Sequence, residues 1–227
     1  MLNVLYEDNH LLIVNKPCGV LVQGDETGDK PLVEIGKDYI KEKYHKPGEV
    51  FLGVVHRLDR PVSGVVVFAR TSKALERMNE LFRNKETKKT YLAIVSSRPP
   101  KNEDTLIHWL EKDEKKNKTT AYIRESPKGQ RSELSYKLVA QAAGKFLLEV
   151  NPITGRPHQI RVQLATIGCA ILGDLKYGAA ASLPDASIAL HARQLEFVHP
   201  VKKERTQIVA EVPSTNHWKI FPFLFKD

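Results

Sequence analysis

The segment His56-Arg57-Leu58-Asp59-Arg60-Pro61-Val62-Ser63-Gly64 sets a carboxylate between arginines on a short loop flanked by apolar runs. Positive charge two residues before and one residue after favours an ionised carboxylate at this position. An ionised carboxylate suits a nucleophile, or an anchor for a developing cation, more than a proton donor. A surface turn with an incidental ion pair is the plainer alternative on residue types alone. Val50 to Val55 before the loop and Val65 to Ala69 after it read as two buried strands.

Other elements must position this loop. Residues 2–6 and 10–15 read as strands around a Glu7-Asp8-Asn9 turn. Leu32, Ile35, Gly36, Tyr39, Ile40 and Tyr44 recur at helical spacing, predicting a helix over 31–45. Ala74, Leu75, Met78, Leu81 and Phe82 mark one face of a second helix, with Thr71 or Ser72 as N-cap. Further strands are expected over 90–95, 119–124, 132–140, 145–150, 187–198 and 206–212, with an exposed turn in 111–118. A third helix is expected over 157–167, beginning at Pro157 and setting His158 and Arg161 on one side. Strands outnumber helices, and several are joined by short turns. The expected fold is α+β, with a mixed, mainly antiparallel sheet flanked by helices. No internal repeat or interdomain linker is visible, so residues 1–227 are expected to form one domain.

The chain has 227 residues, 41% hydrophobic and 27% charged, with a net charge of +8. Those values are ordinary for a globular protein, while the basic excess favours a polyanionic partner. Nucleic acid is the first candidate. A membrane surface is the second, but neither a basic amphipathic helix, a lipidation signal nor an apolar run of spanning length is found. The N-terminus has no signal-peptide pattern, which leads to the expectation of a cytoplasmic protein. Cys18 and Cys169 have no metal-ligand spacing and are expected as thiols.

His-Arg-Leu-Asp followed by Ser-Gly and an apolar run resembles the catalytic motif of the RluA-type RNA pseudouridine synthases. Three more segments resemble that family's motifs in the same order: Asn15-Lys16-Pro17-Cys18-Gly19, Lys88-Lys89-Thr90-Tyr91-Leu92-Ala93, and Gly155-Arg156-Pro157-His158-Gln159-Ile160-Arg161-Val162. Gly173-Asp174 and Tyr177-Gly178 close the last of these, so the likeness covers nearly the whole chain. The resemblance implies isomerisation of uridine to pseudouridine in a ribosomal or transfer RNA stem-loop, with the active site in a cleft across the sheet. It implies no cofactor and no metal, since no external group is transferred and no electron moves. A monomer without a separate N-terminal RNA-binding domain is expected.

Residue roles follow from the same resemblance. Asp59 is the essential carboxylate, Arg161 the arginine set against it, and Tyr91 the residue that packs on uracil and could take a proton. Arg57 would fill the gap left by a flipped base, because its planar head can stack and hydrogen-bond together. Ile160 would supply an apolar contact to that base. His56 and Lys16 are also placed in substrate binding, although a histidine here is more often structural and Lys16 could be structural or RNA-facing. Arg83, Lys85, Lys88, Lys89, Lys115, Lys116, Lys118, Lys128 and Arg131 are candidates for the RNA backbone. Val62 and Pro157 depart from the family pattern, standing where Thr, or Thr and Ser, are usual. Two other classes stay open: a non-catalytic RNA-binding or assembly protein, and a base-releasing glycosidase, which would need a second carboxylate.

Overall fold

The computed structural model describes residues 2–26 and 28–225. The chain divides into two compact units, one formed by residues 1–88 and 192–213, the other by 89–191 and 214–227.

The first unit begins with strands β1 (Val4–Glu7) and β2 (Leu11–Lys16), joined by the expected turn, in which Asp8 Oδ1 accepts from the amides of His10 and Leu11. Helix α1 (Leu32–Lys43) follows, then β3 (Gly53–Val54), β4 (Ser63–Ala69) and helix α2 (Ser72–Arg83). Thr71 caps α2 by accepting from the Ala74 amide at 3.1 Å. β2 is antiparallel to β4, with Leu11 opposite Ala69 and Lys16 opposite Gly64. Both faces of this pair are covered. Leu11 and Ile13 join Val65, Val67, Ala74 and Met78 in one core cluster. On the other face Leu12 lies beneath Gly36 of α1. Coverage on both sides explains why β2 and β4 are near-continuous apolar runs instead of alternating ones.

The second unit contains β5 (Lys88–Val95), β6 (Glu103–Asp113), β7 (Lys118–Tyr122), β8 (Gln130–Ala142) and β9 (Lys145–Pro152), in the order β5-β9-β8-β6-β7. All of these neighbours are antiparallel. β6 alternates: Leu106, His108 and Leu110 are buried, while Ile107 is 39% exposed. One face of this sheet therefore meets the core and one meets solvent. Helix α3 (Gln159–Thr166) packs on β6 and β7, with the Gln163 side-chain amide donating to the Leu106 carbonyl at 3.1 Å. β10 (Leu190–Val198) pairs through its later residues with β11 (Arg205–Val209), and a short helix α4 (Asn216–Lys219) places Trp218 in the interior. Among the described residues no helix is long and apolar enough to cross a membrane.

The architecture is the expected α+β fold with a mainly antiparallel sheet. Three local expectations are corrected. The strand over 50–55 shrinks to Gly53–Val54, with Phe51 50% exposed, because only Leu52 and Gly53 are buried there. Helix α3 starts at Gln159, not Pro157, because His158 adopts φ +55° and stands outside it. The strand expected over 187–198 begins at Leu190.

Candidate active site

The Asp59 loop is held from within. Lys16 ends β2 and is 0% exposed. Its Nζ donates to the carbonyls of Pro17 at 3.0 Å, Val20 at 2.7 Å and Arg60 at 3.2 Å, which uses all three ammonium hydrogens. The Arg60 carbonyl also accepts from the Gly19 amide at 2.8 Å, and Arg60 Nε returns a bond to the Gly19 carbonyl at 3.0 Å. Segments 17–20 and 59–62 are thus laced together by backbone bonds around one buried charge. Burial pushes the Lys16 ammonium down to about 8, with Cys18 and Asp59 opposing that shift and Arg60 adding to it. Of the two roles expected for Lys16, structural or RNA-facing, the full burial of its ammonium among loop carbonyls favours the structural one.

Gly64 closes the loop with φ +117°, a region that favours glycine. A Cβ there would lie 2.3 Å from the Ala192 carbonyl oxygen, so close backbone approach also demands glycine. His56 is also tied into the surrounding structure. Its Nε2 accepts from the Val67 amide at 3.2 Å, and its ring stacks on Phe82 at 4.9 Å between centroids. Leu58 and Val62 are buried, Asp59 is half-buried and Arg57 is exposed. The alternation turns Leu58 inward and Arg57 outward. Val62, at 2% exposure, belongs to the interior, where an apolar side chain needs no hydroxyl partner.

The second unit holds Tyr91, Ile160 and Arg161. Tyr91 lies on β5 opposite Val150 of β9, which is itself opposite Tyr136 of β8, so the three share one face. Arg161 is 6% exposed and grips Asp174 with two bonds, Nε to Oδ2 at 2.7 Å and Nη2 to Oδ1 at 2.9 Å. Its guanidinium also lies 5.1 Å from the centroid of the Tyr177 ring. The Tyr177 hydroxyl accepts from the Thr119 amide at 2.9 Å and meets His158 Nδ1 at 2.7 Å. Burial raises the Tyr177 phenol above its usual value. The hydroxyl therefore keeps its proton, and which partner donates in its bond with His158 depends on the histidine tautomer. Gln159 Oε1 accepts from the Arg156 amide at 3.0 Å and the Thr154 hydroxyl at 2.8 Å, while its Nε2 donates to the Glu133 carbonyl at 3.0 Å. Ile160 is 7% exposed.

Asp174 is the partner of Arg161 that sequence reasoning missed. It fell inside a matched motif, but nothing in a 13-residue separation marks it as the partner of Arg161. Of the backbone-binding candidates, Lys88 pairs with Glu196 at 3.2 Å and Arg131 with Glu133 at 2.8 Å, while Arg83 and Lys85 are exposed.

Residues 10–166, more than half of the chain, match the family model described as RNA pseudouridylate synthase. The chain belongs to that family. It is 32% identical over 219 residues to ribosomal large subunit pseudouridine synthase C of Vibrio cholerae, covering 91% of this chain and 64% of the relative. It is 36% identical to an uncharacterized RNA pseudouridine synthase of Bacillus subtilis, covering 93% of this chain and 68% of that one. The chain thus spans about two-thirds of the length of these curated relatives. Among solved structures, human RNA pseudouridylate synthase domain containing 4 superposes with a TM-score of 0.78 at 27% identity, over 93% of this chain and 89% of that one. Human RNA pseudouridylate synthase domain containing 1 shares the fold, with a TM-score of 0.74 at 23% identity over 96% of this chain and 86% of that one.

Proposed function

We propose that this chain isomerises uridine to pseudouridine at defined positions of structured RNA, with ribosomal RNA as the first substrate class and transfer RNA as the second. The observation that carries the reading is Asp59, half-buried on a loop clamped by a buried lysine, in a chain of the pseudouridylate synthase family. In the reaction the bond from uracil nitrogen to the sugar breaks, the ring turns, and a ring carbon bonds the same sugar carbon. The hydrogen on that ring carbon leaves as a proton, and the freed nitrogen gains one. No electron is exchanged with a partner, so the chemistry requires no redox group.

Asp59 is assigned the central step: addition to sugar or base, stabilisation of a cationic sugar, or removal of a sugar proton. Each needs an ionised carboxylate in a site with little water. In the family pattern an arginine serves this aspartate, and Arg161 takes that role here. Its grip on Asp174 supports the assignment, because a guanidinium held by two bonds cannot swing away. Tyr91 is assigned to uracil packing and to proton removal from the rejoined carbon. An ordinary phenol titrates near 10, so that last role needs help from its surroundings. Arg57, exposed at the loop tip, is assigned to the gap left by the flipped base. Ile160 contacts that base through the small part of it left uncovered. The proposal takes the working form to be a cytoplasmic monomer, which light scattering of the purified enzyme tests for oligomeric state.

The deciding experiment is tritium release from ribosomal and transfer RNA labelled on uracil carbon 5. Wild type is expected to release tritium. Asp59→Asn is expected to slow release by at least about 1,000-fold while holding RNA affinity within a few-fold. Equal loss of binding and turnover in a folded variant would remove Asp59 from the chemistry.

A further inference from the structure

β2 and β4 are antiparallel, so one end of the pair carries Lys16 and Gly64 and the other carries Leu11 and Ala69. The Asp59 loop sits at the first end. At the second, about 20 Å along β4 at strand rise, lies a hollow of about 340 Å³, bordered by Ile40, Lys46, Glu49, Phe51, Arg70 and Thr71 among others. Arg70 is the innermost charge, with its side chain 11% exposed. Nη1 is bound to Glu7 Oε1 at 3.1 Å and to the Asp8 carbonyl at 2.6 Å, and the guanidinium lies 4.7 Å from the Tyr44 ring centroid. Nε and Nη2 make no hydrogen bond with the described residues. A nearly buried guanidinium is thus locked in place by one nitrogen, with donors to spare on the others.

Two further features share its sign. Lys46 is exposed and has no ion-pair partner among the described residues. Thr71 caps α2, a 12-residue helix, taking the Ala74 amide on its hydroxyl and the Leu75 amide on its carbonyl. The amides of Ser72 and Lys73, in the first turn, have no intrahelical acceptor, and the positive end of the helix dipole lies there. Glu7 balances the charge of Arg70, so the positive excess at the hollow is the Lys46 ammonium and the helix start, set against the rim carboxylate of Glu49. Phe51 supplies an aromatic surface at the edge, 50% exposed. A fixed guanidinium, a helix N-terminus and an exposed ring form the combination that takes a phosphodiester with its adjoining base.

We infer that this hollow binds one nucleotide of the RNA strand beyond the target uridine, phosphate towards Arg70 and the start of α2, base on Phe51. The inference rests on the RNA-modifying reading above and adds to it a second anchoring point, remote from the chemistry. It gives the first unit a way to measure RNA length from Asp59. An RNA too short to reach both ends of β4 would be turned over but held weakly.

The test uses the whole chain, a 12-nucleotide oligouridine as probe, and inorganic phosphate as a second probe. Amide resonances of Arg70, Thr71, Ser72 and Lys73 are followed by NMR. The oligouridine is expected to shift all four. Phe51→Ala is expected to weaken its binding about 5- to 100-fold, the range for losing one stacked base. Lys46→Gln is expected to flatten the salt dependence of log K by about 0.7. Both positions are exposed, so both variants should fold as wild type does. Silent amides at saturating oligouridine, or wild-type affinity and salt slope in both variants, would overturn the inference. Shifts with phosphate but not with oligouridine would overturn it in favour of a free-phosphate site. Tritium release from the same preparation separates the two readings. Inactive wild type with a responsive hollow removes the isomerase reading alone, and active enzyme with a silent hollow removes this one alone.

Discussion

The Asp59 loop and the α3 segment are both rigid, but they are held in opposite ways. The loop is gripped through its backbone: one ammonium takes carbonyls from Pro17, Val20 and Arg60, and the side chain of Asp59 is left half-buried. The α3 segment is gripped through its side chains: Arg161 pairs with Asp174, Gln159 is tied at both ends of its amide, and His158 meets Tyr177. A backbone clamp fixes where a residue stands while leaving its side chain for chemistry. A side-chain network fixes the side chain itself. The first suits a residue that must react, and the second suits an arginine whose charge must stay at one point.

Substitutions can break this contrast. The largest effect is expected from Gly64→Ala, because the new methyl would meet the Ala192 carbonyl and the backbone would still require φ +117°. Unfolding in urea should show a loss of more than about 4 kcal/mol, or no folded protein. A loss below about 1 kcal/mol would mean that β4 and the backbone at Ala192 can part easily.

Asp174→Asn should cost about 3 kcal/mol, because it leaves the buried Arg161 charge without its carboxylate. Combining it with Arg161→Met should recover most of that stability but no activity, since the second substitution removes the unpaired charge and with it the guanidinium assigned to Asp59. If the double variant is no more stable than Asp174→Asn, the pair is not what burdens the single variant. Lys16→Met should cost about 2 kcal/mol, through carbonyls left unsatisfied in the interior.

A last test sharpens the contrast through pH. Burial lowers Lys16 in the folded chain to about 8, against an unfolded value near 10.5. Between these values the unfolded chain binds the proton that the folded chain has released, so the Lys16 contribution to stability rises with pH there and is flat below. Wild type should show this rise relative to Lys16→Met across pH 8 to 10.5. Parallel curves would mean that the three carbonyls hold the ammonium protonated.

Much of this was legible in residue order. The β2 and β4 runs read as buried strands because sequence records burial on both faces as unbroken apolarity. α1 and α2 showed their helical period, and of Thr71 and Ser72, the two caps offered, Thr71 takes the role. The strand before the Asp59 loop misled because Val50, Phe51 and Leu52 are as apolar as a core strand, although Phe51 faces the hollow at its edge. The start of α3 misled because Pro157 is a common first helical residue, and a left-handed histidine leaves no trace in residue type. The burial of Lys16 was not legible because lysine is almost never fully buried.

By itself, the order of residues determined the family, the α+β class and the identity of Asp59, Tyr91 and Arg161 as the residues to watch, because those rest on local motifs and short-range periodicity. Only the tertiary structure decided that Lys16 is an internal clamp, that Asp174 is the carboxylate holding Arg161, and that Arg70, Lys46 and Phe51 border one hollow. Each of those facts is a meeting of groups far apart along the chain or a matter of burial. Charge and hydrogen-bonding capacity are written in the sequence, but the partner that satisfies them is chosen by packing.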